Sequence, residues 1–229
     1  MEETIRKLIQ GKRNYVFIGE AGSGKTETAL SFARALARIE SRKVHFFDMD
    51  QTKPVLRARD AGRILEEEGV VFHYQDQFLD APTVASGVRE ILQNRSCTAI
   101  LGIGGGTYGS HMIGQFAAYL NTPETETFYV VNPYRPWSGS KEDIAETMQR
   151  VLGAAGLRNY TVIANPNLGV RTTPEHIIRG IEEIKALFED TDREICFVCA
   201  REDLRPEVER QITIPVFGID ISMLPPWLV

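Results

Sequence analysis

The most chemically pointed feature of the chain is a lysine set between glycines and a hydroxyl residue. Gly19-Glu20-Ala21-Gly22-Ser23-Gly24-Lys25-Thr26 fits the pattern G-x-x-x-x-G-K-[ST]. Glycines let successive backbone N–H groups turn inward around phosphate oxygens, and a helix opening behind them adds its positive dipole end. The stretch from Gly19 to Glu27 is therefore expected to line a nucleotide. Lys25 would reach the outer phosphates and neutralise charge developing there, and the Thr26 hydroxyl would hold Mg²⁺.

Other candidates stand at the ends of apolar runs. Asp48-Met49-Asp50 closes one of them, and aspartates two apart at a strand end face the same way. Asp48 is expected to join Thr26 in organising Mg²⁺, and Asp50 to orient an attacking water; a cap-and-turn role is the plainer alternative. A second phosphate-site strand usually ends in an aspartate near Mg²⁺. Here Ile100-Leu-Gly-Ile-Gly-Gly-Gly-Thr107 offers Gly102 at that place. Gly104, Gly105 and Gly106 admit either close approach to a terminal phosphate or a plain strand-to-helix turn. Asn132 and Asn165 each precede proline at a run's end, where asparagine serves equally as a turn residue or as a partner for an adenine edge. No N-K-x-D sequence appears in either segment, so ATP is favoured over GTP.

These residues need elements to hold them. Apolar runs at 15–18, 44–47, 70–74, 98–103, 127–131, 160–164 and 195–199 read as strands. Helical spacing fills 26–39, 58–68, 81–92, 110–120, 141–155 and 174–188. This alternation predicts an α/β fold with a mostly parallel central sheet between two helical layers. No linker or charge block divides the chain, so residues 1–229 are expected to form a single domain.

Composition narrows the function. A net charge of −5 gives no basic footprint for nucleic acid, and no apolar run is long enough to span a bilayer. The N-terminus begins as a charged helix without a signal region, so a cytoplasmic chain is expected. Cys196 and Cys199 lie in one strand, where positions three apart face opposite ways, so they are expected to be core thiols rather than a metal or redox pair. The four histidines have no ligand spacing. Lys53, Arg57 and Arg59 could clamp an anionic substrate or simply be solvated, and the apolar tail 221–229 could dock a partner or pack back on its own domain.

Together these motifs resemble the MinD/ParA/CobQ-CobB group of P-loop nucleotide-binding proteins over residues 15 to about 189. More narrowly, the segment Thr52–Asp60 is similar to one found in an uncharacterised bacterial branch of that group. The resemblance implies a P-loop NTPase-type three-layer sandwich, with ATP and Mg²⁺ as ligands. It also implies slow ATP hydrolysis serving a nucleotide-dependent switch, and a homodimer or protein partner. Relatives that are ligases or kinases of small acids imply an alternative, and a non-catalytic docking module is a third. In MinD/ParA-like ATPases a lysine early in the loop crosses a dimer to the partner's phosphates, but Glu20 stands there. Asp50 matches the aspartate that orients water in those proteins, but Gly102 stands where their fourth-strand aspartate near Mg²⁺ would be, so two groups that favour hydrolysis are missing.

Overall fold

Strands β1 (Asn14–Ile18) and β4 (Cys97–Ile103) are buried at every residue. Such strands belong in the middle of a sheet covered on both faces. The computed structural model describes residues 2–50, 62–74, 86–189, 191 and 193–220. Its other strands are β2 (Lys43–Met49), β3 (Val71–His73), β5 (Thr125–Val131), β6 (Thr161–Ala164), β7 (Ile195–Arg201) and β8 (Val216–Ile219). They form one sheet in the order β3-β2-β4-β1-β5-β6-β7-β8, with every pairing parallel.

Two cores sandwich the sheet. On one face α2 (Lys25–Ile39) lays Phe32 among Tyr15, Phe17, Phe128 and Phe217, with α1 (Glu2–Ile9) and α3 over 62–67 beside it. Centroids of Phe32 stand 5.4 Å from Phe17 and 5.7 Å from Phe128, within the range of tilted and edge contacts. The other face is covered by α4 (Val88–Gln93), α5 (Gly106–Gly114), α6 (Ala117–Leu120), α7 (Lys141–Ala155), α8 (Pro174–Phe188) and α9 (Arg205–Glu209).

Helices α7 and α8 keep the bounds expected from their spacing, with local signals at both ends of α7 and at the start of α8. Ser140 accepts from the Asp143 N–H at the start of α7, and Gly156 closes it at φ 63°. Thr173 and His176 form a capping box with Pro174 in the first turn of α8.

Elsewhere the expectations are corrected. Of the helix expected over 81–92, residues 81–85 lie outside the described residues; the described helix begins at Val88, because Gly87 at φ 85° cannot sit inside a helix. The helix expected over 110–120 starts earlier, at Gly106, and divides into α5 and α6 around Gln115 and Phe116. β8 was not anticipated, since Val216–Ile219 is short and contains a glycine.

Cys196 and Cys199 are free thiols, yet they do not face opposite ways. A bulge between β6 and β7 packs Cys196 against the same core that buries Cys199. Burial pushes both thiols up to about 12, which leaves them protonated and inert at neutral pH. The segment Thr52–Asp60, with Lys53, Arg57 and Arg59, and the tail 221–229 lie outside the described residues.

Candidate nucleotide site

After β4 the chain crosses to the far side of β1 to make β5, so the strand order reverses around β1. In an open parallel sheet the crevice at the carboxyl ends beside such a reversal is where ligands bind. The loop Gly19–Gly24 occupies it. Gly22 and Gly24 are left-handed at φ 72° and 89°, and Gly24 caps α2, placing Lys25 in its first turn. Lys25 is buried, and Thr26 and Glu27 are half-buried behind it.

Three successive carbonyls of the loop are tied down. The Arg135 Nε donates to the Gly22 oxygen at 2.9 Å, and the Asn165 Nδ2 to that of Ser23 at 2.7 Å. The Gly24 oxygen accepts from both the backbone and the hydroxyl of Thr28, each at 3.0 Å. These bonds fix the peptide planes of the loop, which is what a preformed phosphate cradle requires.

Asn165 fits closely enough that a Cβ on Gly24 would stand 1.9 Å from its Nδ2. Its side chain is 1% exposed, and its Oδ1 has no hydrogen-bond partner among the described residues. The other asparagine, Asn132, is a turn residue. Its oxygen accepts from Tyr134 and Asn167, and its nitrogen donates to the Asn167 carbonyl.

Asp48 and Asp50 lie one strand further from the loop than direct β1–β2 adjacency would place them, because β4 stands between. Asp48 is in register with Gly102, and its Oδ1 accepts from the Asp50 N–H at 3.0 Å. The glycine run spans the gap. A Cβ at Gly104 would meet Asp50 Oδ1 at 3.1 Å, and one at Gly105 would meet Ala21 Cα at 2.6 Å. The close approach these glycines permit is thus toward Asp50 and the phosphate loop. At Gly102 the Phe46 ring takes up the space a side chain would use, 3.2 Å from a Cβ there.

Glu20 turns its carboxylate back onto the loop. Oε1 accepts from the Ala21 N–H at 3.0 Å, and Oε2 pairs with the Arg150 guanidinium of α7 at 3.3 Å. Arg135 and Arg150 were not anticipated as site residues. Arg135 stands at a strand end and could have been noticed, whereas Arg150 reads as an ordinary helix-surface residue until the fold brings it to the loop.

No group of three or more His, Cys, Asp or Glu among the described residues could hold a metal. The oxygen donors of Thr26 and Asp48 nonetheless suit a hard cation that keeps waters and takes its remaining ligands from phosphate. Such a cation would offset phosphate charge, with Thr26 and Asp48 as its protein contacts. Among the described residues no helix is long and apolar enough to cross a membrane.

The family model for the CobQ/CobB/MinD/ParA nucleotide binding domain matches residues 15–214. No curated protein matches the sequence. Among solved structures, the cell division protein FtsY of Thermotoga maritima aligns with a TM-score of 0.54 at 14% identity, over 84% of this chain and 67% of its own. The signal recognition particle 54 kDa protein of Aeropyrum pernix, in complex with GDP, aligns at 0.53 and 19%, over 86% of this chain and 46% of its own. A nucleotide-binding protein of Archaeoglobus fulgidus in complex with ADP aligns at 0.50 and 14%, over 93% of this chain and 94% of its own. At such identities the likeness is one of fold.

Proposed function

Because the chain belongs to the CobQ/CobB/MinD/ParA nucleotide-binding domain family, we propose that it binds ATP with Mg²⁺ at residues 19–27 and hydrolyses it slowly as a nucleotide-dependent switch. The observation that carries this reading is the cradle itself: a glycine loop with three carbonyls restrained, opening α2 at the crevice beside β1. Lys25 neutralises charge developing on the outer phosphates, and Asp50 orients water. Thr26 and Asp48 are the metal contacts. Asn165 contributes in this reading by holding the Ser23 carbonyl of the loop, since its amide oxygen is buried away from the crevice surface.

Hydrolysis is slow in this reading because the site lacks a carboxylate at Gly102 and a cation at Glu20. Removing one preorganised stabilising group from an active site costs about 10²–10³ in kcat. The fold leaves no gap at Gly102 for a substitute, since Phe46 fills it. Phosphate release from ATP, compared between the native protein and Lys25→Ala, is the test. Turnover that falls to background in the variant supports the reading, and equal turnover in both sinks it. A protein partner or a second copy as the switch's target belongs to the same proposal; retention on a column of immobilised protein with ATP, and not with ADP, is its readout.

A further inference from the structure

Glu20 occupies the part of the phosphate loop that faces the glycine-rich turn after β4. Its Oε1 holds the Ala21 N–H, and it lies 3.0 Å from where a Cβ on Gly106 would stand. A Cβ on Gly104, two residues earlier, would stand 3.1 Å from Asp50 Oδ1. The carboxylate therefore sits at the end of the loop that a nucleotide's outermost phosphate approaches, given the nucleotide site proposed above. There it holds a backbone N–H that an anion would otherwise use. Its only ion-pair partner among the described residues is Arg150 of α7, and the glutamate side chain is 15% exposed against 51% for the arginine. The acid is the more enclosed partner and its counter-charge the more exposed.

We infer that the Glu20–Arg150 pair distinguishes nucleoside triphosphates from diphosphates and passes the difference to α7. A diphosphate leaves Glu20 on the Ala21 N–H. A third phosphate repels the carboxylate and drives it off the loop, and Arg150 must follow or release it. Helix α7 is placed to respond, because α5, which opens at Gly106, packs on it with Gly114 against the Ala154 carbonyl. Trp137 lines one small pocket with Glu20, Tyr129 and Thr147, so an indole already stands where the movement would occur.

The test uses the full chain carrying Trp227→Phe, which leaves Trp137 as the sole tryptophan. Affinities for Mg-ADP and for a non-hydrolysable Mg-ATP analogue are measured by calorimetry, and Trp137 emission is recorded with each. Glu20→Gln is expected to tighten the triphosphate about tenfold while moving the diphosphate less than threefold. Arg150→Ala leaves Glu20 uncompensated and is expected to weaken the triphosphate about tenfold, an effect that Glu20→Gln added to it abolishes. In the parent, Trp137 emission should shift with the triphosphate alone. Equal changes for both nucleotides in Glu20→Gln, or additive effects in the double variant, overturn the inference while leaving nucleotide binding intact. A parent that binds neither nucleotide overturns the nucleotide reading itself and this inference with it. Unchanged thermal unfolding of Glu20→Gln confirms that the comparison is between folded proteins.

Discussion

Gly24 and Asn165 act as one unit, although 141 positions separate them in the chain. A Cβ on Gly24 meets two obstacles, a backbone at φ 89° and an amide nitrogen 1.9 Å away. Left-handed backbone at a non-glycine residue costs about 1–3 kcal/mol by itself. Gly24→Ala is therefore expected to lower stability by more than about 1 kcal/mol and to abolish nucleotide binding. Asn165→Ala leaves the Ser23 carbonyl without its donor, at a cost of about 1–3 kcal/mol. Because the second substitution removes the atom the first collides with, the double variant should cost less than the two losses added together. Urea midpoints of the four proteins check this, and strict additivity would show that the two residues do not constrain each other. At this scale the loop was legible in the sequence, since its glycines and lysine carry their chemistry in their spacing. The holding bonds from Arg135 and Asn165 were not, because each depends on a strand end from a distant part of the chain.

At the scale of elements, spacing located the strands and helices wherever caps agreed with it, as in α7 and α8. It failed where a local conformation cut across the apolar pattern, at Gly87 before α4 and at the bulge that turned Cys196 around. One cross-strand pair was equally hidden. β2 and β3 lie in register at Phe47 and His73, which brings His45 Nδ1 to 2.9 Å from His73 Nε2 while the His73 ring stacks on Phe47. Burial lowers both histidines from 6.5; for His45, the charges of His73 and Lys43 lower it further. A base whose folded pKa is depressed stabilises the fold above its unfolded pKa, and that contribution is lost as pH falls through the folded value. Unfolding midpoints in urea are thus expected to drop on going from pH 7 to pH 5, more steeply in the native protein than in a His45→Phe/His73→Phe variant. Parallel pH profiles for the two proteins would show that the pair contributes nothing to acid sensitivity.

At the scale of the whole molecule, α/β alternation announced parallel layers, but the order of strands could not be read from it. No pattern within β2 or β4 says that β4 inserts between β2 and β1, and that insertion decides which groups surround the loop. The same order gives ligand binding a global consequence. Residues that restrain or flank the loop come from β1, α2, the ends of β4, β5 and β6, and α7, so the site draws on both sides of the central strand. A nucleotide held there couples to unfolding of the entire sheet rather than of one edge. At a hundredfold excess over its Kd, a ligand specific for the folded state adds about 2.7 kcal/mol, which for a chain of this size corresponds to roughly 5–11 °C in Tm. Calorimetric scans with Mg-ADP are therefore expected to show one transition moved upward by that amount. Lys25→Ala should keep the single transition and lose most of the shift. Two transitions, with only one responding to nucleotide, would mean that the strands beyond β5 fold independently of the loop and that the bonds from Arg135 and Asn165 do not bind the halves together.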